Sequence, residues 1–549
     1  MQNKTKNILA ILFLTIVSLF AMRALIHFGF YTSHDGWHIV TRLYYFDAIV
    51  RDGQIPVRFS ANLLNGFGYP LFIFSYHLPW IIAEPLMLAG LNVFDAIKAV
   101  FILTYIMSGI FMYFWLSQVF GKKAGLLGAF VFLFTPYRFV NIFVRANIGE
   151  AVSFMTYPLI FWSIYNLSLK KSFKWVCIGA FGLVGAMLSH IMVIFLFFLP
   201  LILYAVHLFF KTKNKIIFII QISIMVFLSI GVSAYYLFPA IYYKPITVFA
   251  DTYKQLYANH FTPISKLLYS PWGYGALGTP GEMSRQIGIA IWLINIISIP
   301  LIIFQFLKKI DRKTIFVPLI CLITFSISLF FLTKISISIW KMGENFALID
   351  FPWRFLAVTT FFGSLLTGWV VFSLRKSKYQ IIFMAIFLGL IFYTNRNHVR
   401  VNQYTDIPLS LYIDSELTTN TDDEYLPKWV SREYAKKKQP LITNQDITMT
   451  NLTRNSKEII FDINSQKQTE LQISQMWFPG WQALVNGEKI DIGKSSFGGM
   501  TINVPQGKSH INLEYGSSEI MNIGNILTII SLMVTASGLI FKKFIWKKK

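Results

Sequence analysis

The sequence predicts an α-helical polytopic membrane protein with a mainly β extracytoplasmic domain near its C-terminus. Three observations carry that expectation. Of 549 residues, 55% are hydrophobic and only 14% are charged, whereas soluble proteins are about 25% charged. A soluble chain this long would divide into about three or four domains, each needing a charged skin, and the charges to coat them are missing. Apolar runs of spanning length recur along the chain. Finally, the basic and acidic residues are segregated, which gives the formal charge of +23 a topological reading.

The N-terminus carries Lys4 and Lys6, then an apolar run from Ile8 to about Phe30. No small-residue cleavage site is evident, so it reads as a retained first helix. Further runs begin near residues 96, 124, 151, 174, 191, 215, 287, 314, 354, 378 and 519. The run from Tyr69 to Leu91 is different, because it holds Pro70, Pro79, Glu84 and Pro85. Basic clusters lie at Lys122/Lys123, Lys170/Lys171/Lys174, Lys211/Lys213/Lys215, Lys308/Lys309/Arg312/Lys313, Arg375/Lys376/Lys378 and Lys542 to Lys549. The positive-inside rule places them with the N-terminus in the cytoplasm. That requires an even number of crossings between neighbouring clusters. It holds if 69–91 is juxtamembrane or re-entrant, and if the run 175–210 is two short helices turning near Ser189–His190. The expectation is twelve spans with both termini cytoplasmic. The cytoplasmic regions then hold 22 of the 49 Lys and Arg but one acid, Asp311, of 26. The excess charge is an orientation signal and gives no reason to invoke nucleic acid.

The domains follow: a transmembrane domain 1–394 with outer loops 31–95, 241–286 and 335–353, an extracytoplasmic domain 395–518, and a final helix with a basic tail, 519–549. The segment 395–518 is near neutral, with 14 acids and 13 Lys and Arg. It opens polar and turn-rich and continues in alternating runs such as "KEIIFDI", "TELQIS" and "HINLEY", with Asn486-Gly487 as a hairpin signal.

The long segments face outward, so chemistry is expected there. Asp35 follows the first span almost at once, with His34 beside it. His38, Arg42 and Tyr45 fall on one helical face. A carboxylate here suits a general base for an acceptor hydroxyl; the alternative is a helix N-cap. In "TPYRFVNIFVRANIGEAVSF", Arg138 and Arg145 lie seven apart, on one helix face, and Glu150 follows. Charges this near hydrocarbon cost roughly 2.5–3.5 kcal/mol each. The functional reading is phosphate binding by Arg with orientation or metal ligation by Glu150; the alternative is Arg–Glu pairing with snorkelling to headgroups. His190 in "MLSHIMV" is either a buried, satisfied histidine or a hydrogen-bonding group in an outer cavity. Trp272 and Tyr274 in "YSPWGYG" suit sugar stacking or an interfacial belt. Arg285 and Arg354, with Asp350 before it in "LIDFPWRFL", are placed to meet a lipid phosphate or to act as interfacial anchors. In "MWFPGW" the aromatics are sugar-stacking groups or domain core.

Cys177 and Cys321 both lie in apolar runs, which excludes a disulfide framework and a Cys-based zinc site. There is no P-loop, GxSxG, HExxH or dinucleotide fingerprint. The cytoplasmic loops are too short for a nucleotide-binding domain, so any group donor comes through, or sits in, the membrane.

The order of a first span, a long outer loop with an early acid, the "YPLFIFSYHLPW" segment and paired spans resembles the GT-C superfamily of polyprenyl-phosphate-sugar glycosyltransferases. More narrowly, the chain resembles bacterial YfhO-like membrane proteins and those labelled 6-pyruvoyl-tetrahydropterin synthase-related. The residues are "HDGWH" at 34–38, "GQIPVRF" at 53–59, "GFGYPLF" at 66–72, "YRFVNIFVRANIGE" at 137–150, "SPWGYG" at 270–275, "FPWRFL" at 351–356 and "FPGWQALVNGEKI" at 478–490. The synthase label implies a soluble pterin enzyme, whose zinc-site histidine cluster is missing here. The GT-C resemblance implies an inverting transferase of the bacterial plasma membrane with an outward active site. Its donor is a polyprenyl-phosphate-linked sugar and its acceptor an envelope glycan, polymer or lipid. Asp35 matches the early-loop catalytic base and Glu150 approximately matches the second acid. Arg138, Arg145, Arg285 and Arg354 are the donor-phosphate candidates. His34, Arg42, His190, Trp272 and Tyr274 are substrate-binding candidates, and His38 orients sugar or acceptor. No metal ligands are assigned, and a divalent cation is left open. The alternatives are a transporter or flippase of lipid-linked glycans, and a non-catalytic scaffold of envelope assembly.

Overall fold

The structure is a computed structural model and describes residues 2–253, 256–309, 315–342, 349, 351–444 and 446–540. Asp311, Arg312, Lys313, Asp350 and Lys542 to Lys549 lie outside the described residues.

Each predicted apolar run is helical. Among the described residues, eight helices are long and apolar enough to cross a membrane: Lys4–Ala21, Val93–Phe120, Ile191–Lys211, Lys215–Val232, Ile289–Leu307, Pro352–Ser373, Ser377–Asn395 and Glu519–Ile540. Two bent pairs raise the number to ten if each is one span. These are Lys122–Leu133 with Pro136–Val144, bent by 48°, and Phe316–Leu332 with Lys334–Met342, bent by 80°. The remaining two of the twelve expected runs are Ile148–Leu169 and the 17-residue Phe173–Ser189. The expected turn at Ser189–His190 is there, with His190 in extended conformation between two helices. Pro352–Ser373 is enclosed by the others, whereas Ser377–Asn395 and Glu519–Ile540 expose most of their apolar side chains. Such exposure is stable only against lipid.

The 69–91 segment forms two short helices, Leu71–Phe74 and Leu78–Leu88. At 1.5 Å per residue the second is about 16 Å long, half of the hydrocarbon thickness.

Two expectations are corrected. The first helix was expected to reach about Phe30 and ends at Ala21. Arg23 bonds back to the Phe20 carbonyl, and Phe30–Tyr31 (β1) instead pairs antiparallel with Tyr404–Thr405 (β2). The second concerns Arg138 and Arg145, which do not share a helix face. A π turn over Val140–Val144 intervenes, and its wider i→i+5 winding breaks the seven-residue repeat.

The two larger sheets fall within 448–515. Strands Thr448–Arg454 (β3), Glu458–Ser465 (β4), Thr469–Met476 (β5), Trp481–Val485 (β6), Glu488–Ile490 (β7), Gly493–Lys494 (β8), Gly499–Val504 (β9) and Gly507–Tyr515 (β10) form two antiparallel sheets. Their orders are β3-β4-β10-β6-β7 and β5-β9-β8. Asn486-Gly487 makes the predicted two-residue hairpin between β6 and β7, with φ of 53° and 85°. Both positive values are what that turn needs.

The stretch 395–447 is mostly not sheet. It wraps onto the first outer loop: the Leu64 N–H donates to Leu417 O at 2.8 Å, and the Tyr425 N–H donates to Tyr69 Oη at 2.9 Å. Phe59 stacks on Tyr515 and meets Trp481 edge-on. Arg58 donates to Ser517 and Asn525, tying that loop to the last helix. One hydrophobic core therefore runs from Ala10 through the β domain to Met521. Met476, Phe478 and Trp481 of "MWFPGW" are buried in it, so these three are core. Trp477 is half-buried beside Trp429, with the Lys494 ammonium over both rings.

Glu84, on Leu78–Leu88, is only 8% exposed. Burial, and then the charge of Asp47, push its carboxyl up from 4.5 to about 7, with Arg51 opposing. The folded protein thus holds the Glu84 proton more tightly than the unfolded chain. Stability should fall as pH rises from 4.5 to about 7 and level off above it. Melting of the detergent-solubilised protein across that range should show the decline, and Glu84→Gln should flatten it. An unchanged pH profile in the variant would refute the assignment.

Candidate functional site

Asp35 stands at the N-terminal end of the helix Gly36–Arg51 but does not cap it with its side chain. The N-cap alternative is therefore not the structure adopted. The carboxylate instead accepts from Asn147 Nδ2 at 3.2 Å. Its position is set by the main chain, since the Asp35 N–H donates to Arg145 O at 2.8 Å and the His34 N–H to Val144 O at 3.0 Å. The first outer loop thus docks on the broken helix Pro136–Val144.

That break builds the rest of the centre. Ala146 takes φ of 53°, an uncommon value for a residue with a side chain. Asn147 then caps Ile148–Leu169, with Oδ1 accepting from the Glu150 N–H at 2.9 Å. Glu150 is fully buried. One oxygen accepts from Tyr137 Oη at 2.6 Å and the other from Arg145 Nη1 at 2.9 Å. Arg145 also donates to Asn141 and lies over the Trp353 ring at 4.3 Å. Gly149 permits the close packing here: a Cβ would come within 2.5 Å of Ser189 O and 2.9 Å of the Tyr76 ring.

Arg354, at the start of Pro352–Ser373, donates to His190 Nε2 at 2.6 Å, and His190 stacks on Tyr76 at 6.2 Å. Burial, then the charges of Arg354 and Arg145, hold His190 well below the usual histidine range, so it is a neutral acceptor. Arg42 lies 5.9 Å from the same Tyr76 ring, and donates to Thr419 Oγ1 at 3.0 Å and to its carbonyl at 2.5 Å. Burial opposes the Arg42 charge, but Tyr76, Tyr425, Glu424 and Asp35 outweigh it, and the net shift is upward. Burial pushes the Tyr76 phenol up, Arg42 pulls it back and Asp35 adds to the rise.

The structure thus brings together Asp35, Glu150, Arg145, Arg354, His190 and Arg42. His38 is adjacent and holds Glu416 at 2.9 Å. His34 contacts Tyr274 O at 2.8 Å, and Tyr274 meets Trp272 edge-on, so these three form a rim. Trp272 stacks on His398 at 4.5 Å. Arg138 is elsewhere: it is enclosed by Tyr105, Phe132 and Phe154 and donates to Ser108. Arg285 is held inside its own loop by Glu282 and Thr262. Residues to which the sequence reading assigned no site role are Asn147, Tyr76, Tyr137, Trp353, Thr419, Glu416 and Glu424. Asn147 alone had a local signal, an Asn three residues before Glu150 in a capping pattern.

The resemblance leaves a divalent cation open. Among the described residues there is no group of three or more His, Cys, Asp or Glu able to hold one, and both Glu150 oxygens are engaged by Tyr137 and Arg145. The donor set does not fit a metal.

No protein-family model matches the chain. It is 28% identical over 239 residues to an uncharacterized protein of Lactococcus lactis subsp. cremoris, covering 42% of this chain and 38% of that protein. Structural neighbours are crystal structures of the Archaeoglobus fulgidus oligosaccharyltransferase. The apo form gives a TM-score of 0.42 at 12% identity, covering 79% of this chain and 60% of that one. The form tethered to an acceptor peptide gives 0.40 at 11%, covering 73% and 56%. The chain therefore spans less than two thirds of the length of each.

Removing one member of a buried ion pair costs about 3–5 kcal/mol, while replacing both with apolar groups is often neutral. Glu150→Gln should therefore lower the melting temperature markedly, and Glu150→Gln with Arg145→Met should recover much of the loss. Additive losses in the double variant would show that the two charges do not depend on each other.

Proposed function

We propose that the protein is an integral-membrane glycosyltransferase of GT-C type. It moves a sugar from a polyprenyl-phosphate donor to an envelope glycan, polymer or lipid acceptor on the outer face of a bacterial plasma membrane. The chain crosses twelve times with both termini cytoplasmic, and nucleic acid is not a partner. The observation that carries this reading is an Asp35 carboxylate that caps no helix, gathered with Arg42, Arg145 and Arg354. A carboxylate beside guanidinium groups combines a proton acceptor with donors for a phosphate.

The donor enters laterally with its lipid tail between helices. Arg145 and Arg354 hold the phosphate, and they stabilise the charge that grows on it as the glycosidic bond breaks. Asp35 takes the proton of an acceptor hydroxyl. That oxygen attacks the anomeric carbon with inversion, and the polyprenyl phosphate leaves with the bonding electron pair. Neutral His190 fixes the Arg354 guanidinium, and Arg42 orients Tyr76 against the sugar. Glu150 acts by positioning Arg145. No step is assigned to a metal.

A flippase would use the same arginines without a base, so Asp35 separates the two readings. Asp35→Asn should abolish transfer from polyprenyl-phosphate sugars, read by mass spectrometry of the acceptor. Expression and melting temperature should stay as in the wild type, because the side chain caps nothing. Full transfer by that variant would sink the assignment.

A further inference from the structure

A second feature lies near His38, where Tyr45 of the Gly36–Arg51 helix meets the segment around Glu416. It is a cleft of about 110 Å³ lined by Tyr45, Asn62, Asn65, Asp414 and Glu416, with Leu64, Ile413 and Leu417 behind them. The two walls come from chain segments some 350 residues apart, and the Leu64–Leu417 backbone bond closes them at the base. Leu64 and Asn65 both take left-handed backbone, with φ of 54° and 55°. Such conformations cost energy and persist where surrounding contacts fix them.

The polar groups are unevenly used. Asn65 donates to Lys436 O, and Glu416 is held by His38. The side chains of Asn62, Asp414 and Tyr45 form no hydrogen bond among the described residues. The cleft therefore offers carboxylate and amide oxygens as acceptors, amide and phenol groups as donors, and one aromatic ring. Its charge is opposite to that of the arginine cluster, so it disfavours a phosphate. Its volume is below the roughly 300–1,000 Å³ of pockets that enclose a whole drug-sized ligand. It suits one unit of a chain that continues into solvent.

We propose that this cleft seats one neutral sugar unit of the acceptor glycan. The Glu416–His38 bond couples its wall to the helix turn that begins at Asp35. The inference rests on the glycosyltransferase reading for its role, although binding itself does not need it. Sugar hydroxyls would donate to Asp414 and Glu416 and accept from Asn62, with the pyranose face on Tyr45.

The full chain in lipid nanodiscs, with EDTA and no donor, is to be tested by saturation-transfer NMR with maltotetraose, cellotetraose and chitotetraose. At least one should bind. Asp414→Ala and Asn62→Ala should each weaken it about tenfold without lowering the melting temperature, since both side chains are exposed. In a transfer assay the same variants should raise KM for acceptor and leave kcat unchanged. No binding by the wild type, binding unaffected by both substitutions, or a response only to added calcium would each overturn the proposal. Glycan binding in a protein that transfers no sugar would retain the cleft and refute the transferase reading.

Discussion

The candidate site is organised by one buried ion pair, Arg145 with Glu150. It sits where a helix is broken, and a break near hydrocarbon leaves backbone groups that water cannot reach. Several are met by specific partners. The Val144 and Arg145 carbonyls accept from His34 and Asp35, the Ile142 carbonyl from Tyr31 Oη, and the Asn147 N–H donates to Asn141 O. The first outer loop is thus held by the unpaired groups of the break. The pair itself is kept by Tyr137, Asn141 and the Trp353 face, which together replace the water both charges have lost.

This explains why Asp35 is available for chemistry. Its backbone, and not its carboxylate, makes the contact that fixes the loop. The side chain carries one bond, from Asn147, and the same Asn147 caps the helix bearing Glu150. Asp35 and the ion pair therefore share one positioning residue, and a shift of the break would move both together.

Much of the architecture was legible in sequence because the bilayer imposes a simple rule on length and charge. The apolar runs and the Asn486-Gly487 hairpin are local signals, and the turn at His190 followed from the parity of the basic clusters. The misread features are those where tertiary contact overrides a local pattern. The first helix stops at Ala21 because residues 30–31 find a strand partner at 404–405. Arg138 and Arg145 look equivalent at heptad spacing until the π turn separates them. Contacts such as Arg42 with Thr419 and His38 with Glu416 join residues almost 380 apart, and no spacing rule reaches that far.

The arginines show what sequence reasoning lacks. All four phosphate candidates are buried to within 5% exposure, so burial does not rank them; partners do. Arg138 faces three aromatic rings and a serine, an enclosure that offsets part of its desolvation by cation–π contact and leads nowhere near Asp35. Arg285 is spent on Glu282. Arg354 instead donates to a histidine, and that choice has a consequence. An imidazole accepts from a guanidinium only while it is neutral, because the protonated ring has no lone pair to offer. Burial and two neighbouring cations keep His190 in that form. Arg354 is therefore held by a group whose charge does not change across the physiological range.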